Sequence, residues 1–232
     1  MSSEQITIYL EIGQKKTFAG AIEWPGWCRA GRDEAAAIQA LLVVGPRYGR
    51  ILQPTNISFQ APTDSGAFAI VERLVGNATT DFGAPDAAPA SDIAPFDEND
   101  LRRYEALLPA YWQAFDTAVQ SAMGKELRKG PRGGGRELEK IMEHVLGADA
   151  SYLRQLAWKH KVNSDASPND ELKRIRPAIL EALAAAARGE LPQQGPRGGK
   201  LWPPRYFIRR SVWHLLDHAW EIEDRIVEEI GD

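Results

Sequence analysis

The sequence predicts a small α+β domain followed by an all-α, up-down bundle of four helices. Three observations carry that expectation. The first 75 residues contain short β-branched and aromatic runs with partial alternation. Residues 76–96 are rich in Ala, Pro, Asp and Gly and have little to bury. From residue 97 onward the apolar residues recur at helical spacing. The expected division is therefore a domain over residues 1–75, a linker over 76–96 and a helical domain over 97–232.

Residues 5–12 and 16–23 read as two strands joined by a hairpin at Gly13-Gln14-Lys15. Trp24-Pro25-Gly26-Trp27 ends the second strand, because Pro and Gly interrupt regular pairing. Asp33 is placed to cap a helix running through Ala35, Ile38, Leu41 and Leu42 to about Tyr48. Short strands are expected over residues 56–60 and 67–75. Trp24, Trp27 and Cys28 read first as cover for the end of a small sheet, with a pocket or partner surface as the alternative.

In the second half, a helix begins near Asp97 or Asp100 and carries Leu101, Tyr104, Leu108, Tyr111, Trp112, Phe115 and Val119. Pro109 is expected to kink or divide it. Residues 130–135 form a basic, Gly-rich loop, with an anion-binding nest of backbone N–H groups as the alternative. A second helix is expected over residues 136–159, with Ile141, His144, Val145, Ala148 and Tyr152 on one face. A third covers residues 169–188, with a kink at Pro177, and a Gly/Pro-rich loop over 189–204 leads into the fourth.

The fourth helix, residues 205–229, organises the functional reading. One apolar stripe joins Phe207, Leu215, Ile222 and Ile226, and a titratable stripe beside it joins Ser211, His214, His218, Glu221 and Arg225. His214 and His218 lie at i and i+4, a spacing that lets two imidazoles grip one cation. His144 on the second helix supplies a third ligand, while His160 sits at a polar helix end and reads as surface. Glu221, on the His218 side, is better placed than Asp217 to orient an imidazole through its second nitrogen. Arg225, one turn further, is a candidate for a substrate carboxylate. Three neutral imidazoles leave coordination positions open and suit Zn, Ni, Fe or a similar divalent ion.

Bulk properties narrow the function classes. With a net charge of −4 and pI near 5.7, the chain offers no electrostatic case for nucleic acid or an anionic membrane. The single Cys28 excludes an internal disulfide and a four-thiolate zinc site. No run approaches the roughly 18 apolar residues a membrane span requires. The N-terminus has no basic region followed by a long apolar run, so a cytoplasmic location is expected.

Two resemblances add to this reading. The order strand, strand, Trp24-Pro25-Gly26-Trp27-Cys28, Gly31, acidic pair and Ala-rich helix is similar to the HicB-like antitoxin fold over about the first fifty residues. Glu143-His144-Val145-Leu146-Gly147-Ala148 and Trp213-His214-Leu215-Leu216-Asp217-His218 resemble the DinB-like (YfiT-like) superfamily of metalloenzymes over residues 97–232. That second resemblance implies a divalent metal held by His144, His214 and His218, and a low-molecular-weight thiol as cofactor of a transferase acting on a small molecule. A hydrolase is the other enzymatic expectation, and a homodimer is compatible with either. The N-terminal domain and the two Gly/Pro-rich loops are additions to the simplest members. The alternative function is a non-enzymatic binding or regulatory protein that uses the HicB-like domain as a partner surface.

Overall fold

A computed structural model describes residues 5–129, 135–163, 165–195 and 198–227. Residues 130–134 of the Gly-rich loop, and with them the anion-nest reading, lie outside the described residues. So do the last residues of the expected fourth helix, 228 and 229. The protein is mixed α+β, with a four-stranded sheet preceding the helices. It divides into two compact units, Met1–Pro95 with Ile208–Trp213, and Phe96–Phe207 with His214–Asp232.

In the first unit, β1 (Ile6–Ile12) and β2 (Thr17–Ala21) form the expected antiparallel hairpin. It is closed by the Gly13 N–H donating to the Lys16 carbonyl at 2.9 Å. The sheet order is β3-β2-β1-β4, with β3 (Cys28–Gly31) antiparallel to β2 and β4 (Phe68–Val75) parallel to β1. The parallel pair needs a crossover, which α1 (Glu34–Leu52) provides. Asp33 caps α1 as expected, its carboxylate accepting from the Ala36 N–H at 2.8 Å. A Cβ on Gly31 would stand 2.2 Å from the Ala37 nitrogen, so this approach of strand to helix requires glycine.

The expectation of a strand over residues 56–60 is not met. Phe59 instead inserts its ring among Trp24, Trp27 and Tyr48, at 4.9, 5.2 and 5.2 Å between centroids. The remaining strand is β3, directly after the Trp-Pro-Gly-Trp turn. Trp27 is fully buried, stacks on Tyr48 and donates its Nε1–H to the Leu41 carbonyl at 2.9 Å. Cys28 is buried too, and burial pushes its thiol up to about 12. Trp27 and Cys28 are therefore core residues, and a thiol held neutral in this way is a poor nucleophile.

Residues 76–96 carry more structure than their composition suggests. The short helix α2 (Ala78–Phe82) starts with a capping box between Asn77 and Thr80. The buried Glu11 carboxylate accepts from the Thr80 hydroxyl and from the Asp86 and Ala87 N–H groups. Asp92, in a 3₁₀ turn over Ala90–Ile93, is 1% exposed. Its two oxygens accept from Arg209 at 2.7 Å each. Arg209 also donates to the Ala21 and Ile22 carbonyls at 2.8 and 2.9 Å and lies 5.4 Å over the Tyr9 ring.

The second unit holds α3 (Glu98–Ala122), α4 (Leu138–Gln155), α5 (Pro168–Ala187) and the flanks of α6 (Pro204–Arg225). Pro109 does not divide α3, which runs unbroken for 25 residues. Both Pro109 and Glu105, whose carbonyl it leaves without a donor, are exposed, so water can serve that carbonyl. Pro177 and Lys173 repeat the arrangement on α5. Helix α5 packs against both α3 and α4. Arg176 of α5 forks onto Asp116 of α3 at 2.6 and 2.7 Å. His160, expected at the surface, is only 11% exposed in its side chain and stands 3.8 Å from the buried Glu171 carboxylate. Among the described residues no helix is long and apolar enough to cross a membrane.

Two buried charges yield predictions. Removing Arg209 strands Asp92 in the core, so Arg209→Met should cost about 3–5 kcal/mol in chemical denaturation. A loss below about 1 kcal/mol would mean the pair is not buried as described. Asp149 on α4 is 4% exposed, and burial raises its carboxyl to about 7 against the opposing pull of Arg176. Its folded pKa lies above its unfolded one, so this group removes stability as pH climbs from about 4 to about 7. Asp149→Asn should abolish that slope and be more stable than the parent at pH 8, by on the order of a few kcal/mol.

Candidate metal centre

Helix α6 is buried on nearly every side. Residues Tyr206–Arg209, Ser211–Leu216, His218–Trp220 and Ile222 are all buried, so the expected apolar stripe is only part of its covered surface. Polar groups on such a helix must be matched by partners. The expected titratable stripe is where much of that matching occurs.

His144, His214 and His218 come together as the sequence spacing predicts, each with a ring nitrogen within 4.8 Å of the other two. His144 Nε2 and His214 Nε2 are 3.1 Å apart, and the three ring centroids are separated by 4.6 to 4.9 Å. Metal–imidazole bonds of about 2.0–2.1 Å would place two tetrahedral ligand nitrogens about 3.3 Å apart. The His144–His214 spacing is close to that edge, and with all three ring nitrogens within 4.8 Å the side chains could hold a metal ion.

The stripe continues beyond the imidazoles. His218 Nδ1 lies 2.7 Å from Glu221 Oε2, and the Arg225 Nη1–H donates to Glu221 Oε1 at 2.7 Å. With Nδ1–H donating to the carboxylate, Nε2 of His218 is left as the lone-pair nitrogen. The hydrogen bond from His218, with that from Arg225 behind it, holds the Glu221 carboxyl below its ordinary value. Glu221 thus takes the orienting role for which its helix face favoured it over Asp217.

Arg225 is bonded within the protein at two of its nitrogens. Its Nε–H donates to the Arg128 carbonyl at 2.8 Å, while Arg128 N–H donates to the Arg225 carbonyl at 2.7 Å. The backbone bond, with the Val227 N–H donating to the Glu126 carbonyl at 3.2 Å, frames a short antiparallel bridge between Leu127 and Ile226, which ties the chain after α3 to the end of α6. A guanidinium fastened to Glu221 and to a carbonyl is a clamp for the carboxylate. Nothing in the Arg128 sequence context announced this, because the partner is its backbone.

On the opposite side of the imidazoles stands an aromatic group. Tyr152 meets His214 edge to face at 5.8 Å between centroids. Trp202 is 5.2 Å from Tyr152 and 4.9 Å from Tyr206. The order of contacts, His144 with His218 and Tyr152 with His214 and Trp202, shows that α4 and α6 run antiparallel here. Sequence reading placed Tyr152 on the correct face as an apolar residue and left Trp202 in a loop. The signal for Tyr152 was the eight-residue step from His144, which keeps the two on one side of α4; no local pattern marks Trp202.

Electrostatics favour imidazole in its ligating form. Burial, then the Arg136 cation, then His218 lower the pKa of His144 from its ordinary value, against a smaller opposing effect of Glu221. At neutral pH the ring is therefore neutral and has a lone pair to offer. No family model, curated protein or solved structure matches this chain.

In metal-free protein, imidazole NMR should show His144 titrating below 6.5, the ordinary value for histidine. A midpoint at or above that value would contradict the packing described around the ring.

Proposed function

We propose that the protein binds a divalent metal through His144, His214 and His218, and that it is a metal-dependent enzyme of the DinB-like kind. In this reading α3 to α6 form an up-down four-helix bundle around the ion. The observation that carries it is the convergence of three imidazoles from two helices, with the second nitrogen of one fixed by a carboxylate. Metal-bound histidines nearly always have such an outer partner.

Zn, Ni and Fe all suit three imidazoles. A bound ion would acidify a coordinated water or hold a low-molecular-weight thiol as thiolate, which favours a thiol-cofactor-dependent transferase with hydrolysis as the neighbouring chemistry. The chain's own residues act around that centre. Glu221 fixes the tautomer of His218, the bonds from His218 and then Arg225 keep Glu221 ionised, and the depressed pKa of His144 keeps its lone pair available.

A second reading is a non-enzymatic binding or regulatory protein whose HicB-like N-terminal part meets a protein partner. It draws on exposed apolar side chains there: Val71 at 57%, Val75 at 91% and Phe82 at 88%. Elemental analysis separates the two. Near-stoichiometric metal is expected in the parent and none in a folded variant with all three histidines changed to Ala. Equal trace metal in both would favour the second reading. Glu221→Ala should retain the site but weaken metal binding about 10- to 100-fold by competition with a chelator.

A further inference from the structure

The His layer has two unlike ends. Towards the C-terminus of α6, Glu221 is held between His218 and Arg225, and Arg225 is fastened to the Arg128 carbonyl. That end is charged and polar: both Glu221 oxygens are bonded within the chain. Towards the N-terminus of α6, the imidazole of His214 gives way to the rings of Tyr152 and Trp202. Both residues are only partly buried, and the Tyr152 ring stands edge to face beside a candidate ligand.

The aromatic end is also held in place before any ligand arrives. The Trp202 N–H donates to the Gln155 carbonyl at 3.0 Å, which docks the residue against the C-terminal end of α4. Pro203 and Pro204 follow, fixing the backbone where α6 begins. Tyr206 packs edge to face on Trp202 at 4.9 Å and is itself buried. Two half-open rings supported in this way present apolar surface at low cost in side-chain entropy.

We propose that Tyr152 and Trp202 form a specificity wall, and that the substrate of the centre joins a metal-binding group to a planar aromatic or conjugated group lying on these rings. This rests on the metal-binding reading above and goes beyond it by naming a substrate class. A group held at the His layer has the charged Glu221–Arg225 pair on one side and apolar ring on the other. An apolar planar substituent is accommodated only on the second.

The test uses the full chain loaded with cobalt(II), whose visible spectrum reports both metal binding and ligand binding. Acetohydroxamic and benzohydroxamic acids share one metal-binding head and differ in the aryl group. Benzohydroxamate should bind the parent about 10-fold or more tightly than acetohydroxamate. Trp202→Ala should collapse that ratio towards unity while leaving acetohydroxamate affinity unchanged, and Trp202→Phe should restore most of it. Tyr152→Leu provides an independent arm, with unchanged acetohydroxamate binding as proof of an intact centre. A parent that binds both acids equally, or a ratio that survives both variants, overturns the wall. Cobalt that binds but responds to neither acid overturns it too, since no ligand then reaches the ion. A parent that binds no cobalt fails at the earlier step and removes the metal reading itself.

Discussion

Helix α6 is covered on nearly every face, and the arrangement of polar groups in this protein follows from that constraint. A buried donor or acceptor left without a partner costs about 1–3 kcal/mol, more if it is charged. Arg209 meets the demand with two carboxylate bonds and two carbonyl bonds inside the first unit. His218, Glu221 and Arg225 meet it in series inside the second. One helix thus carries two separate solutions to the same problem. The first ends on a carboxylate and two backbone carbonyls. The second begins at a cluster of imidazole nitrogens.

The carboxylates show how decisive the partners are. Asp92 and Glu11 are as deeply buried as any side chain here, yet each accepts two or more bonds from N–H or O–H donors. Asp149 is buried to a similar degree, but the Arg176 guanidinium beside it forks onto Asp116 instead. Burial then governs, and the carboxyl of Asp149 rises to about 7. Glu221 moves the other way because hydrogen bonds from an imidazole and a guanidinium outweigh its desolvation. Donor supply, rather than depth, separates these cases.

Much of this was legible in the sequence where a feature is local. The hairpin at Gly13, the cap at Asp33, the long helices and the i, i+4 histidines all depend on spacing within one element. Features set by distant partners were not legible. A strand over residues 56–60 was expected from its composition, but Phe59 is claimed by three aromatic rings from elsewhere in the chain. The order within residues 76–96 is imposed by Glu11 and Arg209, neither of which lies in that stretch. Pro46, Pro109 and Pro177 all sit on exposed faces of continuous helices, a circumstance that periodicity does not report. His144 was found because its own helix face carries core residues. The clamp on Glu221 was missed because half of it is the main chain at Arg128.

On the proposed reading, the fate of Glu221 also sets the charge of the centre. Its two oxygens are taken by His218 and Arg225, so it is an outer partner and its negative charge is balanced by the guanidinium. Three neutral imidazoles contribute none. A divalent ion there would keep most of its charge uncompensated by the protein, in a surrounding largely removed from water. The Coulomb gain from an incoming anion is then larger than at a site with a carboxylate ligand. A thiolate, a hydroxide or a deprotonated chelating group fits that requirement, and a neutral donor meets it poorly. The clamp that looks like mere support for one imidazole therefore selects the charge of whatever completes the coordination.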